Sequence, residues 1–274
     1  MKHKILILGG SGYIGNSIYK ELNPYFDTYA TYYKNKKQSL NKHFFYFDLN
    51  SDAPKQINGI LNKVTPSIII SALRGDYNSQ INTHDQLVSY IKDNDCKIIF
   101  LSSSSVFDGY KNYPNYEFDK TFSKSKFGYL KIKIENKLLR LEENKYSIIR
   151  IPMVIGVNSP KIKDIKNQIS QKTAIEVFPN LIVNIINDNK IALCIHHIIS
   201  KKIGGIIHLG SKDLIHHVDL IKEVIKALKV NYYKFKYVYT TNDDRYIALF
   251  NKNKKLPKYL NFTINSVINS IKIK

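Results

Sequence analysis

The run Lys4–Leu8 leads without interruption into Gly9-Gly10-Ser11-Gly12-Tyr13-Ile14-Gly15, and no other feature of the chain constrains its fold as tightly. Glycines at three-residue spacing follow an apolar strand and open a helix with Ile14, Ile18 and Leu22 on one face. That context describes a strand–turn–helix built to receive a dinucleotide. Gly9 serves the tight turn, Gly12 lets backbone approach a pyrophosphate, and Gly15 allows close helix–strand packing. The helix N-terminus adds free N–H groups and a partial positive charge. Ser11, Tyr13 and Ile14 complete the loop as expected cofactor contacts.

The same alternation continues downstream. Thr28–Tyr33, Phe44–Phe47, Ser67–Ser71 and Lys97–Ser102 read as strands, most of them separated by segments long enough for a crossover helix, such as Gln56–Lys63 and Thr83–Lys92. Strands alternating with helices specify an α/β fold, a Rossmann-type doubly wound parallel sheet with helices on both faces. A further helix is expected over about Ser125–Glu143 and another strand over Ser147–Ile151. Beyond them a helix at Val218–Leu228, aromatic strand-like runs at Tyr232–Tyr239 and a last helix near Ile264–Ile271 suggest a smaller carboxy-terminal lobe. The expected division is residues 1–156 for the dinucleotide-binding domain and 157–274 for a substrate-binding lobe, with segments free to interleave with the sheet.

Composition narrows the class. At 274 residues the chain can bury a core without disulfides, and its two cysteines, Cys96 and Cys194, have no metal-ligand spacing. No metal site is expected; His196-His197 and His216-His217 are adjacent pairs that diverge and lack convergent carboxylates. No apolar run approaches a membrane span, and the start does not read as a signal peptide, so a soluble, cytoplasmic protein is expected. The formal charge of +20 invites a nucleic-acid reading. Only four of the 42 basic residues are arginine, however, and arginine is the residue that reads phosphate and guanine bidentately. With no recognition motif either, a nucleic-acid partner is not expected, and most lysines read as solvation.

A few charges do fall at informative places. The second strand runs into Lys34-Asn35-Lys36-Lys37, where an acidic residue would favour NAD(H). Lysines there suit a 2′-phosphate, so NADP(H) is preferred over NAD(H). Asp48-Leu49, closing the third strand, is placed either to meet the adenine edge or to serve as an ordinary turn.

Further motifs follow: Ser102-Ser103-Ser104-Ser105-Val106-Phe107-Asp108-Gly109 after the fifth strand, Phe127-Gly128-Tyr129-Leu130-Lys131 opening a helix, Arg150-Ile151-Pro152, and His208-Leu209-Gly210-Ser211. With the glycine loop, these make the chain resemble the extended short-chain dehydrogenase/reductases. Within them it is most similar to the dTDP-4-dehydrorhamnose reductase (sugar nucleotide-binding) family, over nearly its whole length. The resemblance implies an NAD(P)H-dependent reductase or epimerase of a nucleotide-activated 4-keto sugar, with relatives that often form homodimers. It implies that Ser103 holds the substrate carbonyl, that Lys131 binds the nicotinamide ribose, and that Ala72, Leu73 and Arg74 belong to a cofactor loop after the fourth strand.

The resemblance also exposes a departure. The family pairs Lys131 with a tyrosine four residues earlier, on the same helix face, as general acid. This chain has Phe127 there. Tyr129 with Lys133 restores the spacing but turns the phenol about 200° around the helix, so the Phe127 register is preferred. Ser104 likewise stands where relatives commonly carry an acid. Three outcomes are open: a slow reductase, one that borrows Tyr110, Tyr129, a serine or water, or a non-catalytic dinucleotide- or sugar-nucleotide-binding regulatory or scaffold subunit.

Overall fold

Fourteen strands and eight α-helices lie among the residues described by the computed structural model, which are 3–34, 40–110, 112–231, 233–253 and 255–272. The amino-terminal part alternates β1 (Lys4–Leu8), α1 (Tyr13–Leu22), β2 (Asp27–Tyr32), β3 (Phe44–Tyr46), α2 (Ala53–Val64), β4 (Ile68–Ser71), α3 (Tyr77–Asp93), β5 (Lys97–Ser103), α4 (Lys126–Leu138) and β6 (Tyr146–Ile151). It continues through β7 (Met153–Val154), α5 (Pro160–Ser170), β8 (Ile175–Val177), β9 (Leu181–Val183), β10 (Ile185–Ile186), α6 (Asp188–Ser200) and β11 (Gly205–His208). The remainder is β12 (Ile215–His216), α7 (His217–Ala227), β13 (Phe235–Tyr237), β14 (Arg245–Ile247) and α8 (Ile264–Asn269).

Seven strands form one parallel sheet in the order β11-β6-β5-β4-β1-β2-β3. Its near-continuous Ile/Leu runs are the signature of strands covered on both faces. The pleat divides them: Ile5 and Ile7 join one buried cluster with Ile18 of α1 and Ile195 of α6, whereas Leu6 and Leu8 join another with Ile57 of α2, Leu87 of α3 and Ile134 of α4. The direction of winding reverses between β1 and β4, so a crevice opens beyond their carboxyl ends, where ligands of open α/β sheets bind.

Most of the helices begin where side chains can satisfy their orphan N–H groups. Asp52, Asp76, Ser125 and Ser159 cap α2, α3, α4 and α5 by accepting from the backbone N–H of the third residue of each helix. Asp76, in the Arg74-Gly75-Asp76 run, is thus a helix cap: its carboxylate accepts from Ser79 N–H at 2.8 Å.

Within 157–274, one stretch interleaves with the sheet. Residues 188–208 return to the sheet, α6 against α1 and β11 as its last strand beside β6. The apolar runs of both segments need the sheet's core: Ile195, Ile198 and Ile207 are fully buried there. The aromatic run appears as the short β13; Tyr232 lies outside the described residues. No helix among the described residues is long and apolar enough to cross a membrane.

Candidate active site

The crevice at the switch point is a cleft of about 720 Å³. Its floor is the glycine loop, wired to β2: Gly9 N–H donates to Thr31 Oγ1 at 2.9 Å, and Ser11 N–H to Thr31 O at 3.1 Å. Gly9 has φ of +78°, a left-handed conformation that disfavours side chains, and a Cβ there would lie 2.7 Å from Ala72 O. A Cβ on Gly15 would lie 2.2 Å from Gly9 O. No side chain caps α1, whose N-cap is Gly12, so its first-turn N–H groups face the cleft end of the helix without a protein substitute for an anion. The residues fit a dinucleotide diphosphate. Gly15→Ala is expected to weaken dinucleotide binding by at least about tenfold, since relieving backbone overlap costs roughly 1–3 kcal/mol. Fluorescence titration measures it, and unchanged affinity would refute the cradle.

Among the described residues, those expected to contact the cofactor from these loops line the cleft: Gly9, Ser11, Gly12, Tyr13, Ile14 and Gly15 from the loop, Lys34 after β2, Asp48 and Leu49 after β3, and Ala72, Leu73 and Arg74 after β4. Lys34 is exposed, its Nζ 5.4 Å from the Tyr33 ring centroid. Lys36 and Lys37, read beside it in the sequence, lie outside the described residues. Asp48 lines the cleft, and its Oδ1 accepts from Asn50 N–H at 2.9 Å in a turn.

At the β5 end, Ser103, Phe127 and Lys131 share the cleft. Ser103 also caps the turn Ser104–Phe107, its Oγ accepting from Ser105 N–H at 3.1 Å. Lys131 is 6 % exposed and donates from Nζ to Leu101 O at 3.0 Å. Its ammonium lies 4.7 Å from the Phe100 centroid and 5.6 Å from that of Phe127. Burial pulls its pKa down to about 8, Glu135 opposes the shift, and Arg74 adds to it.

The alternative tyrosine register falls elsewhere. Tyr129 is 55 % exposed, absent from the cleft wall, and paired with Lys133 at 4.8 Å on the outer face of α4. Tyr110 is 44 % exposed and packs on Phe122. The tyrosines that do line the cleft, Tyr13, Tyr32 and Tyr33, belong to the glycine loop and the end of β2.

Beneath the β5 end of the cleft lies a buried ionic network that spacing did not reveal. Arg150 grips Glu135 through Nε at 3.2 Å and Nη2 at 2.8 Å, and Ser102 Oγ donates to the same carboxylate. Arg150 Nη1 donates to Glu117 O and to His208 Nε2, and its guanidinium stacks 4.9 Å from the Phe107 centroid. Arg150 therefore holds α4 against the sheet. Sequence reasoning also missed Lys161, which enters the cleft from the first turn of α5. Ser159-Pro160, a cap followed by proline at the first helical position, was the available signal.

Among the described residues, no three His, Cys, Asp or Glu side chains are grouped to hold a metal. His196 pairs with Glu21 and His197 with Tyr259.

The sequence matches the family model described as RmlD substrate binding domain over residues 2–249. No curated protein matches it significantly. Among solved structures, a dTDP-4-dehydrorhamnose reductase from Clostridium acetobutylicum is similar at 19 % identity and TM-score 0.74, covering 98 % of each chain. The dTDP-4-dehydrorhamnose reductase of Bacillus anthracis, solved with NADP, has 18 % identity and TM-score 0.78 over 99 % of this chain and 98 % of that one. The dTDP-glucose 4,6-dehydratase of Bacillus anthracis, solved with NAD, has 14 % identity and TM-score 0.78 over 98 % and 95 %. At these identities the likeness concerns the fold.

Proposed function

This chain belongs to the RmlD substrate binding domain family, and from that premise we propose that it is a reductase or epimerase of a nucleotide-activated 4-keto sugar, dependent on NADP(H) in preference to NAD(H). One observation carries the reading: the glycine loop, Lys34, Ser103 and Lys131 all line a single cleft. A nicotinamide dinucleotide bound there supplies hydride chemistry to a sugar carbonyl.

The chain's own residues do the rest. The α1 N-terminus meets the pyrophosphate, and Lys34 is the described cation that suits a 2′-phosphate. Lys131 keeps one Nζ proton on Leu101 O and has others for ribose hydroxyls. Ser103 Oγ is the group to hold the carbonyl oxygen, and Arg74 and Lys161 are cations available to a sugar-nucleotide diphosphate. Phe127 keeps the ring of a family tyrosine and contributes no proton.

The second reading is a non-catalytic dinucleotide- or sugar-nucleotide-binding regulatory or scaffold subunit. It is favoured by Phe127, since no tyrosine hydroxyl accompanies Lys131 at that end of the cleft. NADPH consumption across 4-keto sugars activated with dTDP, UDP and GDP separates the two. Turnover is expected at a rate reduced by about 10²–10⁴ for want of the acid, and Lys131→Met is expected to remove it. NADPH binding without turnover on the whole panel supports the subunit reading; no binding of NADPH or NADH overturns the reductase reading and the dinucleotide-binding form of the subunit.

A further inference from the structure

Tyr13 opens α1 and lines the cleft, yet its hydroxyl is committed elsewhere. It donates to Oδ1 of Asp188, while Ser17, one helical turn later, donates to Oδ2 of the same carboxylate. Asp188 is the first residue of α6, 175 positions from Tyr13 in sequence. Two hydroxyls of the cofactor helix therefore share one carboxyl group on another element. Burial and the adjacent Asp188 both push the Tyr13 phenol above its ordinary range, which keeps it a donor.

The surroundings are shaped for this contact. Asp188 lies just beyond β10 and Gly156 just beyond β7, and the two strands pair in parallel, Ile186 beside Val154. A Cβ on Gly156 would sit 2.1 Å from the Tyr13 hydroxyl and 2.6 Å from Asp188 Oδ1, so only glycine leaves room for the pair. Met153 and Val154 of β7 line the cleft too. The contact thus joins the first turn of α1 to the strand pair at the root of the carboxy-terminal lobe. α1 has no side-chain cap of its own.

We infer that Asp188 is a positioning residue: by holding the Tyr13 and Ser17 hydroxyls it sets the first turn of α1 in the orientation that receives the dinucleotide pyrophosphate. The role depends on the cleft taking a dinucleotide, as proposed for it above. Asp188 itself is not expected to touch the cofactor, and its negative charge would repel rather than attract a diphosphate. Geometry and charge therefore make opposite predictions for its removal.

Wild type, Tyr13→Phe, Asp188→Asn and the double variant are titrated with NADPH and with adenosine 2′-monophosphate, which carries the adenine and the 2′-phosphate but no phosphate at the 5′ position. Each single substitution is expected to raise the NADPH Kd about five- to tenfold, the double no more than the larger single, because both remove one coupled interaction. Affinity for the 2′-monophosphate is expected to stay within twofold of wild type, a separation that general loss of structure would not give. An NADPH Kd within twofold of wild type in both single variants overturns the role. So does parallel weakening of both ligands, or tighter NADPH binding by Asp188→Asn alone, the sign of charge repulsion. If wild type prefers NADH, the same series is run with NADH against adenosine. Wild type binding neither dinucleotide overturns the role through failure of the dinucleotide reading, an outcome visible before any variant is made.

Discussion

Phe127→Tyr is expected to raise kcat on a 4-keto sugar nucleotide by about 10²–10⁴-fold, the range a positioned general acid supplies. The scaffold for that hydroxyl is already in place. Ser125 caps α4 through Gly128 N–H at 3.1 Å and so fixes the first turn that carries residue 127. The Phe127 ring lines the cleft, with the Lys131 ammonium 5.6 Å from its centroid. A phenol added to that ring would feel a nearby cation, which favours the phenolate and brings its pKa toward the working range. Substrate affinity should change little, because the ring is already there; the gain belongs in kcat. Tyr129→Phe serves as the control. Tyr129 lies outside the cleft against Lys133, and its loss is expected to leave turnover within about twofold, as for a surface position. Steady-state rates of the three proteins decide the matter. No gain in Phe127→Tyr, with dinucleotide binding intact, would mean that the site no longer orients a sugar carbonyl and would leave the binding-subunit reading standing.

The features legible in the sequence are those with local causes. Glycines 9, 12 and 15 are close enough in the chain for spacing alone to specify a turn, and the Ile/Leu runs of β1, β4 and β5 announce strands covered on both faces. The lysine four residues after Phe127 is local in the same way. What spacing could not show is contact across the fold. Asp188 meets Tyr13 and Ser17 from more than 170 residues away, and Glu135, Arg150 and His208 converge from three elements. The α6 segment hid for another reason. Ile191-Ala192-Leu193-Cys194-Ile195 is an unbroken apolar run that goes round the helix, so exposed Leu193 blurs the stripe of buried Ile191, Ala192, Ile195 and Ile198. Its asparagine N-cap, Asn187, carried the local signal.

Breaking the Glu135–Arg150 pair should produce the largest loss of stability of any single side-chain change near the site. Both side chains are 2 % exposed, and the pair is bidentate. Arg150→Met would leave the Glu135 carboxylate with only Ser102 as a hydrogen-bond donor among its described partners, and removing one member of a buried pair costs about 3–5 kcal/mol. In a domain of this size that lowers Tm by on the order of 10 °C. The double variant Glu135→Gln/Arg150→Met should recover a large part of the loss, because no unpaired charge remains; this is the coupling a double-mutant cycle measures. Acid attacks the same network through His208. Burial, with Arg150 adjacent, lowers the His208 pKa to about 3, and its Nε2 accepts from the guanidinium. The unfolded histidine titrates near 6.5, so between about pH 6.5 and 3 unfolding takes up a proton and stability falls as pH falls, by up to about 1.4 kcal/mol per pH unit. Urea midpoints at pH 7 and pH 5 should therefore diverge, and His208→Gln, which carries no titrating group, should narrow the difference. If Arg150→Met and the double variant unfold at the same midpoint as wild type, the guanidinium does not hold α4, and the placement of Lys131 and Phe127 must rest on the apolar packing of Leu130 and Ile134 alone.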